Sequence, residues 1–254
     1  MKEQKQSSLL KCTFLREVKT WAACPGSIVN NIIGPLLTLV LVFYLIISGG
    51  VSSFFGAITD GEIIVSAQEI TFYARGVLPL VPVFFVSVST YTSSAVSLEG
   101  KSLWIIKSLP LKCADFLKPK FILGLIISLP LTAIAEIMLG IAFGCTAIEI
   151  IIALTFLAAY CAAANLFGLY VNMRHPFLDW KNPAEAIKRG GSVAICSVVG
   201  MLMIIPFGAI ALTCMIFLHN YYLAWALCFA LLAVIYAVLV SLFKRNGEKL
   251  YRAL

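Results

Sequence analysis

The chain has 254 residues, of which 61% are hydrophobic and 12% are charged, and its formal net charge is +7. Soluble domains carry about 25% charged residues, and a globule of this size cannot bury so much apolar surface. The composition therefore excludes a water-soluble domain and predicts an integral membrane protein.

The N-terminal segment predicts an amphipathic helix that lies along a membrane surface. Residues 8–23 read "SLLKCTFLREVKTWAA", in which Leu10, Phe14 and Val18 recur at helical spacing with basic residues on the other side. The following "CPGS" breaks this helix and turns the chain into the bilayer. The segment lacks the short apolar core and cleavage site of a signal peptide, so we expect the first apolar run to be retained as a span.

Six apolar segments are long enough to cross a bilayer, which takes about 20 apolar residues per helix. They lie at about 28–48, 72–95, 121–145, 147–171, 192–217 and 221–243. Tight turns near Thr146 and at "LHNY" make the third and fourth spans one hairpin and the fifth and sixth another. We therefore expect residues 1–254 to form one all-α transmembrane domain, preceded by the interfacial helix.

The lysines and arginines predict the orientation, because they are retained on the cytoplasmic side of a membrane. With the N-terminus inside, all but one of the 19 lysines and arginines lie on the inner side, and the exception is Arg75. Both termini and the loops 97–120 and 172–191 are then cytoplasmic. The net positive charge indicates contact with anionic membrane lipid. No basic face with base-stacking aromatics lies outside the membrane zone, so we expect no nucleic-acid partner.

The loop at 97–120, "SLEGKSLWIIKSLPLKCADFLKPK", combines five lysines with apolar residues. Glu99 to Leu109 can form a short helix with Leu103, Trp104, Ile106 and Leu109 on one broad side, and Pro110 stops it. Such a helix needs a surface to dock against. The pattern leaves open whether that surface is the headgroup region of the membrane or a groove on a cytoplasmic protein.

The loop at 172–191 also predicts a short helix. Asn182 can cap it, Pro183 fits its first position and Glu185 follows three residues after the cap. The aromatic residues Phe177 and Trp180 precede it. From the pattern alone, this loop is equally compatible with a capped, solvated connector.

Two charged residues fall within the outer half of the bilayer, Arg75 in the second span and Glu136 in the third. Charges at membrane depth are costly and usually face protein or water. We expect the two either to pair or to line a shared outer cavity on the translocation path. Alternatively, Arg75 snorkels to the surface and Glu136 is protonated against a neighbouring helix.

No recognised catalytic motif is present in the sequence. It contains no GxxxxGK[ST], HExxH or GxSxG pattern, and the eight cysteines form no CxxC pair. His175 and His219 are predicted on opposite sides of the membrane. We therefore predict no catalytic residue, no metal site and no cofactor in this chain.

Three stretches carry a family resemblance: "REVKTWAACPGSIVNNIIGPLL", the 97–120 loop, and "NMRHPFLDWKNPAEAIKRGG". Together they resemble the membrane (permease) subunit of bacterial type-2 ATP-binding-cassette exporters. The similarity is greater to the C-terminal six-span half of longer Firmicutes-type permeases. One departure is that 192–243 has no room for the outer re-entrant helices that such exporters often carry between the fifth and sixth spans.

The resemblance implies an exporter subunit in the bacterial plasma membrane, with ATP hydrolysed on a separate ATPase subunit and a second permease half, identical or different. It also implies that the 97–120 loop is a coupling helix seated in a groove of the ATPase. The implied contact residues are Glu99, Gly100, Lys101, Trp104, Lys107 and Pro110, followed by Asp179, Trp180 and Glu185. Two alternatives stay open: a membrane-embedded enzyme, and a secondary transporter or scaffold without an ATPase partner.

Overall fold

The structure is a computed structural model that describes residues 9–48, 67–88, 90–109 and 111–254. All regular structure in these ranges is helical. The helices are α1 (Leu9–Ala22), α2 (Pro25–Ile47), α3 (Ala67–Val77), α4 (Leu80–Val88), α5 (Leu103–Lys107), α6 (Cys113–Ala142), α7 (Ala147–Arg174), α8 (Pro183–Lys188), α9 (Gly191–Leu218) and α10 (Tyr221–Ala253). Two 3-10 helices, Tyr91–Ser93 and Ser97–Ser102, lie between α4 and α5.

Six helical segments are long and apolar enough to cross a membrane. They are Pro25–Ile47, Phe72–Lys107, Cys113–Ala142, Ala147–Arg174, Pro183–Leu218 and Tyr221–Ala253. The predicted all-α fold with six spans is thus confirmed. Because consecutive long helices run in opposite directions, both lysine-rich loops and the basic end of α10 lie at one end of the bundle. We call this the lysine-rich end.

The second span, predicted over about 72–95, is divided into two α-helices. Pro79 has no N–H to donate and its ring crowds the preceding turn, and α3 accordingly ends at Val77 before α4 begins at Leu80. After Val88 the chain continues through the 3-10 helices rather than in α-helical form.

The helices of the third and sixth spans, α6 and α10, extend beyond their apolar segments at the lysine-rich end. Helix α6 begins at Cys113, where the Asp115 carboxylate accepts a hydrogen bond from the Lys112 N–H at 3.4 Å. A carboxylate in the first turn also interacts favourably with the helix dipole. Each helix therefore includes polar residues that lie outside the apolar segment predicted from hydropathy.

Both predicted hairpin turns are present and are closed by caps. The Thr146 N–H donates to Glu149 Oε2 at 2.7 Å and the Glu149 N–H donates to Thr146 Oγ1 at 3.4 Å, which starts α7. At the other hairpin, Asn220 Oδ1 accepts from the Leu223 N–H at 3.0 Å and starts α10. Side-chain oxygens at these positions satisfy N–H groups that have no partner within the helix.

The core in the middle of the bundle is aromatic and lies where α7, α9 and α10 meet. The Phe156 ring contacts Phe207 and Trp225, with ring centroids 5.3 and 5.0 Å away in edge-to-face arrangement. Such pairs are favourable beyond the area that they bury. By contrast, the outer faces of α9 and α10 expose many large apolar residues, as expected for helices that contact lipid.

Helix α1 confirms the predicted N-terminal helix, but its apolar stripe is divided between protein and surroundings. Phe14, Val18 and Trp21 pack against buried residues of the bundle, whereas Leu10 remains exposed. Much of the stripe that predicted a membrane-surface helix therefore attaches α1 to the rest of the chain.

Candidate functional site

The stretch of residues 90–102 is not α-helical, yet residues 90–100 are all buried. Non-helical backbone near membrane depth is tolerated only where the protein satisfies its polar groups. Asn172 of α7 does this: its Oδ1 accepts from the N–H groups of Val96 and Ser97 at 2.7 and 3.0 Å. Its Nδ2 donates to the hydroxyls of Ser97 and Ser192, each at 2.7 Å. Asn172 thus fixes the stretch to α7 and α9.

The hydroxyl groups of this stretch are occupied by internal hydrogen bonds. Ser93 and Ser94 donate to backbone carbonyls three residues earlier, at 2.7 and 3.3 Å. Thr92 donates to Asn165 Oδ1 of α7 at 3.3 Å. These side chains serve mainly to hold the non-helical backbone in place.

Four charged side chains meet beneath this stretch and form what we call the ion cluster: Arg16, Glu17, Glu99 and Lys120. The Lys120 ammonium lies 2.8 Å from Glu17 Oε1 and 2.5 Å from Glu99 Oε1. The Arg16 guanidinium lies 2.6 and 2.7 Å from the same two oxygens. The Tyr91 hydroxyl donates to Glu17 Oε2 at 3.0 Å. The cluster joins α1, the 3-10 helix at 97–102 and α6.

The ion cluster is buried and its charges balance. The side chains of Lys120, Glu17 and Glu99 are only 1%, 2% and 4% exposed, whereas that of Arg16 is 40% exposed. Burial alone raises the pKa of Glu17, but the charges of Lys120 and Arg16 outweigh it and leave that pKa lowered. Burial lowers the pKa of Arg16, and the carboxylates of Glu99 and Glu17 outweigh it, so that this pKa is raised. Arg16 and Glu17 are therefore both charged at neutral pH.

The ion cluster links three elements electrostatically. Pulling a buried charge from its partner leaves an uncompensated charge, which is far more costly than keeping the pair together. A displacement of the 97–102 helix is therefore transmitted to α1 and to the start of α6. Lys120 also donates to the Ala95 carbonyl at 3.1 Å, which ties the non-helical stretch to the same ion.

The two lysine-rich loops are joined to each other. The Trp180 indole N–H donates to the Ser97 carbonyl at 2.7 Å, and the indole ring lies over Gly100. Gly100 has φ +51, and a Cβ at this position would lie 2.5 Å from Trp180 Cζ2. Both the backbone conformation and the close approach require glycine here. Trp180, predicted as an ATPase contact, thus contacts the chain's own first loop.

Helix α5 presents two different apolar faces. Leu103 and Ile106 are buried and pack in a cluster with Phe116. Trp104 is 69% exposed, and Leu109, which follows the helix, is also exposed. The sequence placed these four apolar residues on one docking side, but the structure uses half of them to attach α5 to the bundle.

The predicted ATPase contacts fall into distinct groups. Glu99 points inward as part of the ion cluster, so its carboxylate is not on the surface. Lys101 and Asp179 are exposed and lie 3.4 Å apart, which joins the loops at their surface. Pro110 lies outside the described residues.

The remaining predicted contacts are Lys107 and Glu185. Lys107 is exposed and its ammonium donates to the Arg252 carbonyl at 3.2 Å, near the end of α10. Glu185 is in α8, where its carboxylate accepts from the Lys181 N–H at 3.1 Å, and Asn182 caps the helix as predicted.

At the opposite end of the bundle, Arg75 and Glu136 line one small cavity, together with Glu149 and Tyr221. Its volume is about 10 Å³, which is room for about one water molecule. Arg75 Nε donates to the Phe143 carbonyl at 2.9 Å. Glu136 Oε2 is buried and has no hydrogen-bond partner among the described residues. The sequence suggested that Arg75 and Glu136 either pair or line a shared cavity, and in the structure they line a shared cavity.

Sequence reasoning missed the ion cluster, although a signal was present. Glu17 lies between Phe14 and Trp21 on the apolar stripe of α1, where a solvated acid is out of place. Lys120 likewise lies one turn before Leu123, which is buried in α6. A charged residue on the apolar side of a helix predicts a buried partner.

Comparison with known proteins gives a match to a family model. No curated protein and no solved structure matches the chain. A family model described as "Membrane protein of 12 TMs" matches residues 32–241, which covers the six membrane-length segments almost completely. The chain therefore belongs to this family of membrane proteins with twelve transmembrane segments.

Proposed function

We propose that this chain is the transmembrane subunit of an ATP-driven exporter, moving its substrate by alternating access while a separate ATP-binding-cassette subunit hydrolyses ATP. The observation that carries the proposal is the construction of the lysine-rich end. An exposed apolar helix is attached, through a buried ion cluster, to helices that enter the membrane. A transmembrane subunit driven from outside the bilayer needs such a connection.

The surface of this chain that contacts the ATPase is centred on Trp104. A tryptophan in this setting is a usual anchor of an interface once it enters a pocket on the partner. A concave region of about 450 Å³ next to it is lined by Lys101, Lys107, Asp179 and Leu254. Its lining combines charged residues with Leu103, Leu178 and Trp104, a mixture that is usual at protein interfaces.

The ion cluster and Trp180 then distribute the motion. ATPase closure displaces α5 and the 97–102 helix, Lys120 carries that displacement to α6, and Trp180 carries it to the second loop. Glu99 contributes from within the protein, because its carboxylate connects the 97–102 helix to Arg16 of α1 and to Lys120 of α6.

The complete transporter contains a second six-span unit. The family is described by twelve transmembrane segments and the described part of this chain supplies six. A second unit, identical or different, completes the usual twelve. We place both termini in the cytoplasm of a bacterial plasma membrane, because the lysine-rich end then faces the ATPase and anionic lipid.

The test is an affinity purification of the tagged chain from membranes of its native host in mild detergent, with mass spectrometry of the proteins that co-purify. We expect a P-loop ATPase with the unaltered chain. Trp104→Ala and Lys107→Glu should release it, because they remove the anchor and reverse a charge on its rim.

Matched controls separate docking from folding. Tyr222→Ala removes an exposed aromatic residue at the opposite end, and Lys249→Glu reverses an exposed charge on α10 that does not line the concave region next to Trp104. Both should retain the ATPase. If the unaltered chain purifies intact without any ATPase, the exporter proposal fails and a secondary transporter, scaffold or membrane-embedded enzyme replaces it.

A further inference from the structure

A second cavity, of about 360 Å³, lies between α4, α7, α9 and α10. None of the described residues that line it is charged, and its walls include Phe167, Met203 and Leu239. This volume is in the range of ligand sites in proteins. Because the cavity is nearly all apolar, it neither attracts nor holds water, and if left empty its walls lose dispersion contacts.

The polar groups at its deep end are already hydrogen-bonded. Ser87 Oγ donates to the Val83 carbonyl at 2.8 Å and lies 2.7 Å from the Tyr160 hydroxyl. The Tyr160 hydroxyl also lies 3.4 Å from the Gly200 carbonyl. Since these hydroxyls have partners within the protein, the deep end selects for an apolar occupant.

The cavity has the depth of one membrane leaflet. Along α10 it extends from Leu232 in the middle of the bundle to Leu242, close to the lysine-rich end. These ten residues rise about 15 Å, which is half of the roughly 30 Å hydrocarbon core of a bilayer. Val234 and Val238 line the cavity and are also exposed on the outer face of α10, so it opens towards lipid.

The positively charged side chain of Arg245 lies next to the cavity, at its end near the membrane surface. Arg245 comes three residues after Leu242, which places it on the same face of α10 one turn later. It is exposed. Lys244 precedes it on a different face. A chain that fills the cavity from this leaflet therefore has its head group beside Arg245.

We propose that this cavity binds one acyl chain of an anionic phospholipid from the leaflet at the lysine-rich end, with the head-group phosphate at Arg245. The site lies apart from the ion cluster and from Trp104, and the proposal does not depend on an ATPase partner.

The experiment uses the purified full chain in phosphatidylcholine nanodiscs that contain a small fraction of photoreactive phosphatidylglycerol. The probe carries a diazirine at the end of one acyl chain, and labelled residues are identified by peptide mass spectrometry. We expect saturable labelling of residues at the cavity wall, such as Met203 and Phe167. Unlabelled phosphatidylglycerol should displace the probe.

Two adjacent valines on α9 give a matched pair of variants. Val199→Trp fills the cavity. At a probe fraction far below saturation it should reduce cavity labelling about tenfold or more, as a tenfold loss of affinity does. Val198→Trp adds the same group on the outer face, where Val198 is 56% exposed, and should leave labelling unchanged. Ala164→Leu is a smaller filling variant that should act like Val199→Trp if that protein fails size-exclusion analysis.

A second pair tests the head group. Arg245→Gln should raise the half-saturating fraction of phosphatidylglycerol by up to about fivefold, the usual limit for an exposed ion pair, and Lys244→Gln should not. Labelling confined to outer faces, equal labelling in both valine variants, or equal labelling by a phosphatidylcholine probe would overturn the proposal. Displacement by palmitate but not by phosphatidylglycerol would overturn it as well.

Discussion

Replacing Lys120 with methionine removes one of the two cations of the ion cluster while keeping a flexible side chain of similar length. The carboxylates of Glu17 and Glu99 then share only Arg16, which is partly exposed to solvent. Since the lysine and both acids are buried, the change leaves a buried negative charge without its partner. Removing one member of a buried ion pair costs about 3–5 kcal/mol.

The assay is thermal unfolding of the purified chain in detergent, followed by tryptophan fluorescence. For a chain of this size, about 1 kcal/mol shifts the midpoint by roughly 2–4 °C, so Lys120→Met should lower it by about 6–20 °C. Lys118→Met is the matched control, because Lys118 is exposed on the same helix and its loss should change the free energy of unfolding by less than about 0.5 kcal/mol.

The pH dependence tests the electrostatic cause. In the unaltered chain, the folded pKa of Glu17 is lowered from 4.5, so its contribution to stability is present above pH 4.5 and is lost as pH falls through the folded pKa. Lys120→Met removes the charge that lowers this pKa most, so the folded pKa of Glu17 is higher in the variant and less of this contribution to stability is present above pH 4.5. The difference between variant and unaltered chain should therefore shrink on acidification.

A double variant adds a second check, since Lys120→Met with Glu99→Gln restores the charge balance and should be more stable than Lys120→Met alone. The reasoning is refuted if Lys120→Met unfolds like Lys118→Met, or if its deficit is the same at pH 4 and pH 7.5.

Three further predictions use the same purified protein. Asn172→Ala leaves buried polar groups of the 90–102 stretch unpaired at about 1–3 kcal/mol each, so its unfolding midpoint should fall clearly; an unchanged midpoint would contradict the role of Asn172. Gly100→Ala should lower the midpoint because of the positive φ and the contact with Trp180, whereas Gly191→Ala, with no atom within 4 Å of the added Cβ, should unfold at nearly the same temperature. Glu136→Gln should keep the folded protein and its midpoint but impair transport in vesicles once a substrate is known; unimpaired transport would remove Glu136 from the translocation path.

The candidate site was only partly predictable, for reasons that particular residues illustrate. The Asn182 cap is a local rule, since the capping oxygen and the N–H that it accepts from are two residues apart in the chain. The ion cluster is not local: Glu17 and Lys120 are 103 positions apart, and nothing near either residue identifies the other. Sequence reasoning therefore treated Lys120 as one more basic residue that orients the bundle, and Glu99 as a surface contact.

The sequence by itself determined the membrane class, the all-α fold and the six spans. The physical reason is that a bilayer offers no hydrogen-bond partners, so the backbone of each crossing must be satisfied within the protein. An apolar run of about 20 residues does this as a helix, and such runs are visible in the sequence alone. Only the tertiary structure decided which charged side chains are buried together and which face of α5 is left exposed. Those outcomes depend on burial and pairing between distant segments, because the cost of a buried charge is set by its partners and not by its neighbours in the chain.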